Sequence, residues 1–157
     1  MDTFVVDASV VCCWVLPDED SPVAEAALER LAETSGIAPD LLWHEVRNVL
    51  MSAHRRKRVA FAKVIEAMRI LRGLSLSTIA LPDDQLILTL AERHTLTAYD
   101  AAYLALALDR QLPLATLDRR LAEAAVREGL SAAITSASHL LSRSKACPGS
   151  VPPTAGA

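Results

Sequence analysis

The stretch TFVVDASVV, residues 3–11, opens with a β-branched and aromatic run, Thr3–Val6, and closes that run on an acid, Asp7. Such a run reads as a short buried strand with a carboxylate at its C-terminal end. LPLATLDRRL, residues 112–121, repeats the arrangement, with Leu114–Leu117 extended and Asp118 after it. Helical patterns fill most of the space between. Ser21 with Pro22 starts a helix that runs to about Glu33. Leu41 to about Arg56 carries an apolar stripe of Leu42, Val46, Val49, Leu50 and Ala53. Further helices are expected over Ala60–Leu74, Asp83–His94, Asp100–Arg110 and Asp118–Glu128, the last stopped by Gly129. The Ala- and Leu-rich Asp100–Arg110 has little polar surface and is expected to be central. Ile37–Ala38 and Thr78–Leu81 are extended pieces, Pro82 ending the second. Ala133–Thr135 reads as a last strand and Ser136–Leu141 as a last helical turn. Short apolar strands alternating with helices predict a three-layer α/β fold, with a central parallel sheet of about four or five strands flanked by helices.

Ligands of such sheets bind at the carboxyl ends of the strands. Asp7 and Asp118 fall there together, and Asp100 opens the central helix. Glu45 lies about 60° from the centre of its helix's apolar stripe, at the border of the buried face, with Asn48 and Ser52 along the same border. Arg47, two positions on, points to the far side of the helix and is no partner for it. Singly, each acid has an ordinary reading: Asp100, Asp118 and Asp7 as helix caps, Glu45 as a side chain reaching to solvent. Together they converge on one sheet edge with no cations close in sequence. Clustered carboxylates repel one another and are tolerable when a hard divalent cation neutralises them. All-oxygen ligation favours Mg²⁺ or Mn²⁺ over zinc.

The chain of 157 residues has the size of one domain, expected over residues 1–142, with RSKACPGSVPPTAGA (143–157) a disordered Pro-rich tail. Hydrophobic residues are 52% and aromatics 4%, so the core must be built from Ala, Leu, Val and Ile. A net charge of −3 does not by itself advertise a nucleic-acid binder. There is no apolar run of membrane-spanning length and the N-terminus, MDTFVVDASV, lacks the basic start of a signal peptide, so a cytoplasmic protein without membrane contact is expected. Cys12, Cys13 and Cys147 show no metal or disulfide spacing, and Cys12 and Cys13 read as small core fillers.

With these residues in hand, the sequence resembles the PIN-domain ribonucleases, and particularly the VapC-type toxins of bacterial type II toxin–antitoxin pairs. The resemblance covers about Met1 to Leu141. It rests on four pieces in order: FVVDASVV, LLWHEVRNVL, LTAYDAAYLALA and LPLATLDRRL. It implies a PIN-like fold and a Mg²⁺- or Mn²⁺-dependent endoribonuclease in which Asp7, Glu45, Asp100 and Asp118 form the acidic quartet that is both catalytic and metal-binding. Ser9, Asn48 and Thr116 match positions that support the quartet. The resemblance further implies an RNA substrate, a homodimer with two sites along one groove, and a cognate antitoxin protein whose C-terminal segment fills that groove. The apolar faces of about Val23–Leu31 and Ala60–Leu74 are candidate interfaces.

The basic run His54 to Arg58 offers Arg55, Arg56 and Lys57 as RNA phosphate contacts, against the plain reading of a solvated helix end. His44, His54, His94 and His139 form no acid–base pair and are expected at the surface. Trp14 and Trp43 are expected to pack rather than stack on bases. A receiver-like phosphoacceptor needs paired acids after its first strand, and a haloacid-type phosphatase needs Asp-x-Asp. Here Asp7 is followed by Ala8 and Ser9, which disfavours both. A non-cleaving PIN-like module that binds RNA or a partner is the alternative to an enzyme.

Overall fold

The computed structural model describes residues 3–80 and 83–130. The elements run β1 (Phe4–Val6), α1 (Ala8–Cys13), α2 (Pro22–Glu33), β2 (Gly36–Pro39), α3 (Leu42–Arg55), α4 (Phe61–Arg72), β3 (Leu76–Ile79), α5 (Asp84–His94), α6 (Ala98–Arg110), β4 (Leu114–Ala115) and α7 (Arg119–Arg127). The four strands form one all-parallel sheet in the order β3-β2-β1-β4. The chain steps outward from β1 to β3, then returns to the other side of β1 to lay down β4. That reversal leaves a crevice beyond the carboxyl ends of β1 and β4, the place where open α/β sheets take ligands.

β1 is wholly buried because it pairs on both sides, Val5 opposite Ile37 of β2 and opposite Leu114 of β4. Gly36 lets β2 and β3 approach: a Cβ there would lie 2.6 Å from a Leu76 methyl. α6 packs on β1, β2 and β4, and every residue from Ala101 to Ala107 is buried, as its composition predicts. Four of those seven residues are alanine and one is aromatic, in keeping with a core built chiefly from small and aliphatic side chains.

Most predicted helices agree with the structure to within one or two residues at each end; the differences are informative. α1 was not anticipated: six residues with Val10 and Val11 at their centre have weak helical propensity, and burial of all but Ser9 stabilises the turn instead. α6 starts at Ala98, not at Asp100, because Thr97 is its cap and Asp100 occupies the third helical position. β4 ends at Ala115 rather than Leu117, since Thr116 turns its hydroxyl inward. β3 begins two residues earlier than Thr78. Val49 and Leu28, assigned to apolar stripes, are 38% and 39% exposed. His94 is not at the surface; its side chain is 6% exposed and bonds Glu128. Leu81, Pro82, the last strand and turn at 133–141, His139 and the tail from Arg143 lie outside the described residues. Among the described residues no helix is long and apolar enough to cross a membrane.

Candidate active site

Asp7 directly follows β1 and is 5% exposed, one of two buried polar residues of the described chain, the other being Thr116. Its backbone N–H donates to the Ala115 carbonyl (3.0 Å), which fixes β1 against the end of β4. Its Oδ2 accepts from the Ser9 hydroxyl and the Thr116 hydroxyl, each at 2.7 Å. Those hydroxyls in turn accept from the backbone: Ser9 from Leu117 N–H and Thr116 from Asp118 N–H, both at 3.0 Å. Two hydroxyls thus tie the carboxylate of the first strand to the backbone that follows the fourth. Asp118 is one hydroxyl away from Asp7, and its own Oδ1 caps α7 by accepting from Leu121 N–H.

Glu45 comes from the first turn of α3 and is half-buried, as its place at the border of the stripe predicts. Its Oε2 accepts from the hydroxyl of Tyr103 at 3.1 Å. Asp100 faces the same region from α6, its Oδ2 accepting from the Thr97 hydroxyl at 2.7 Å. Tyr103 and Thr97 escaped the sequence reading. Thr97 is three residues before Asp100, a capping spacing that LTAYD displays openly. A tyrosine inside an Ala- and Leu-rich helix reads as core, but a fully buried phenol needs a partner, and that need was the available signal.

Burial pushes the Asp7 carboxyl above its ordinary range; the Thr116 and Ser9 hydrogen bonds oppose the rise and the charge of Asp100 adds to it. Glu45 is pushed up to about 7, again chiefly by burial, with Tyr103 opposing and the charges of Asp7 and Asp100 adding. Asp7, Glu45 and Asp100 therefore form one electrostatically coupled cluster. The ion pairs described lie elsewhere, Arg58 with Asp18 and Glu19, and Arg93 and His94 with Glu128.

Among the described residues, no three His, Cys, Asp or Glu side chains stand as a ready-made metal cage. Each acid is instead turned onto a protein donor through one oxygen. The second oxygen of Glu45, Asp100 and Asp118 has no hydrogen-bond partner among the described residues. Carboxylate oxygens left over at one sheet edge, with mutual repulsion and buried donors behind them, fit a hard divalent cation.

Asn48, Arg55, Arg56 and Lys57 make no hydrogen bond to this cluster among the described residues. Asn48 is exposed and shows no hydrogen bond to Glu45 among the described residues. Arg55, Arg56 and Lys57 are exposed at the far end of α3, about 15 Å along the helix from Glu45 at its rise of about 1.5 Å per residue. Trp14 donates to the Ala24 carbonyl (2.7 Å), and buried Trp43 has the Arg72 guanidinium 4.0 Å from its ring, so both are packing residues.

Both raised carboxyls hold protons more firmly in the folded chain than in the unfolded one. Their contribution to stability is therefore present at low pH and is lost as pH rises through the folded value. For Glu45 the window runs from about 4.5 to about 7. Partial exposure screens the effect to about 1 kcal/mol. In EDTA, the stability advantage of Glu45→Gln over the parent is expected to grow between pH 5 and pH 8. Comparing with that variant cancels the surface carboxyls held low by Arg58 and His94. Urea midpoints that differ by the same amount at both pH values contradict the assignment.

The PIN-domain profile matches residues 4–127. The chain is 37% identical over 125 residues to Ribonuclease VapC3 of Pyrobaculum aerophilum, covering 76% of this chain and 92% of that protein. It is also similar to the crystal structure of PAE2754 from the same organism. The TM-score there is 0.61 and the identity 24%, over 78% of this chain and 86% of the other, a likeness of fold alone.

Proposed function

This chain belongs to the PIN-domain family, with the VapC-type ribonucleases, and from that premise we propose that it is a divalent-metal-dependent endoribonuclease acting through Asp7, Glu45, Asp100 and Asp118. The observation that carries the reading is the coupled cluster of Asp7, Glu45 and Asp100, with Asp118 tied to it through Thr116, at the carboxyl edge of a parallel sheet. Asp7, Asp100 and Asp118 are the residues to hold Mg²⁺ or Mn²⁺, with Glu45 contributing directly or through water. When bound there, a divalent cation makes hydroxide available from water at neutral pH and offsets charge on the phosphodiester oxygens.

The residues' own tasks follow from their partners. Ser9 and Thr116 fix one oxygen of Asp7. Tyr103 fixes Oε2 of Glu45, and Oε1 has no hydrogen-bond partner among the described residues. Oε1 of Glu45 is the atom to accept a proton from the attacking water and to return it to the leaving oxygen. Thr97 holds Asp100 from behind. The exposed Arg55, Arg56 and Lys57 serve as distant phosphate contacts for a strand running along α3.

Pairing with a small antitoxin protein and a homodimeric state belong to the same reading. Phe61, Ile65 and Ile70 of α4, all more than half exposed, supply apolar surface for it, whereas α2 offers only Leu28.

The deciding experiment is incubation of purified protein with a mixed RNA pool in Mg²⁺, in Mn²⁺ and in EDTA. Discrete cuts in the metal lanes and none in EDTA are expected. Binding of RNA and ion with the pool left intact assigns a non-cleaving binding module instead.

A further inference from the structure

Two tyrosines of α6 have opposite fates. Tyr103 is fully buried and reaches Glu45; Tyr99, one turn earlier on the same side of the helix, is 65% exposed. It is the most exposed large hydrophobic side chain of the described residues and directly precedes Asp100. Tyr99 forms one wall of a cavity of about 430 Å³ whose other wall is the edge of α3: Leu41, His44, Glu45 and Asn48. Leu41, Glu45 and Asn48 follow one another by single turns, so one strip of α3 faces the ring. Glu45 belongs to both the cavity and the acid cluster.

We propose that this cavity is a nucleobase subsite, in which a base flanking the scissile phosphodiester stacks on Tyr99. The proposal rests on the ribonuclease reading above and adds where a base of the substrate goes. A phenol ring held out in water beside an acid cluster costs apolar hydration and gains nothing from the fold, whereas every base offers a flat π-face to it. Leu41 supplies apolar surface opposite. Asn48, whose side-chain amide has no partner among the described residues, presents a donor and an acceptor to the base edge; single-stranded RNA is read in this way, by stacking and by edge hydrogen bonds. His44 is paired through Nδ1 with Arg47 at 3.2 Å, which places a cationic side chain beside the same wall. The cavity is large enough for one base and its sugar. Sharing Glu45 sets the adjoining phosphate against Asp7 and Asp100.

The test is binding, measured at low salt in Ca²⁺, an oxygen-ligated ion that neutralises the acid cluster, with each strand checked on a gel to be intact after the titration. Fluorescent ten-nucleotide oligo(A), oligo(U) and an abasic ribose-phosphate strand of equal length are titrated with the parent, Tyr99→Ala, Tyr99→Phe and Asn48→Ala. The parent is expected to prefer base-bearing strands over the abasic one. Tyr99→Ala is expected to weaken oligo(A) binding roughly five- to 100-fold while leaving the abasic strand unaffected, and Tyr99→Phe to retain the preference. Asn48→Ala is expected to narrow the difference between oligo(A) and oligo(U). A parent that binds all three strands equally or none, or a folded Tyr99→Ala that binds oligo(A) like the parent, overturns the subsite. Absence of cuts in the RNA pool, with Tyr99-dependent base binding intact, removes the nuclease reading and leaves the subsite standing. Cuts without Tyr99-dependent binding do the reverse.

Discussion

Replacement of Asp7 by Asn is expected to lower RNA cleavage by about three orders of magnitude, the scale of losing a charge that holds a Lewis-acid ion. The fold is expected to survive, for a reason visible in the hydrogen bonds. Both hydroxyl donors to Asp7 meet a single oxygen, and an amide oxygen accepts them equally well. Burial and the Asp100 charge oppose ionisation of the native carboxyl, so a neutral group of the same shape relieves repulsion in the metal-free protein. A thermal midpoint in EDTA equal to or above that of the parent, together with lost cleavage, is the expected pair. A folded variant that cuts RNA at the parent's rate removes Asp7 from the reaction.

Thr116→Val is the sharper probe, because it removes a hydroxyl without changing shape. Thr116 donates to Asp7 and accepts from the backbone N–H of Asp118, so valine strips that N–H of its partner and leaves Asp7 Oδ2 with Ser9 alone. Unsatisfied buried groups cost about 1–3 kcal/mol. Urea unfolding should report a loss of that size. Cleavage should fall by a further 10–100-fold, the usual consequence of freeing a ligand from the group that orients it. Thr116→Ser, which restores the hydroxyl, is expected to recover most of both. A valine variant that loses stability but not activity would confine Thr116 to scaffolding.

The sequence showed the alternation of strands and helices, the placement of Asp7 directly after the first strand, and Glu45 on the border of its stripe, because those are matters of period and order; Asp118 it set at a strand end, whereas β4 stops at Ala115 and Asp118 caps α7. What it hid was pairwise. Tyr103 gives no sign in its neighbours that its hydroxyl meets Glu45, a residue from another helix. Thr97 took the cap from Asp100, since both are good cap residues and only the backbone decides between them. Asn48, one turn from Glu45 and expected to support it, lines the same cavity as Glu45 and Tyr99. Short elements were lost for the same reason: α1 is held by what it packs against, not by propensity.

The pairing of β1 on both sides also has a temporal meaning. Asp7 is made before Thr116, the residue that orients it, which lies 109 positions later. At synthesis rates of about 5–20 residues per second, that interval lasts roughly 5–20 s. Throughout it, β1 has no β4 to close against and Asp118 does not exist. A nascent chain of this topology therefore cannot bring Asp7 and Asp118 together until the segment that carries Thr116 has been added.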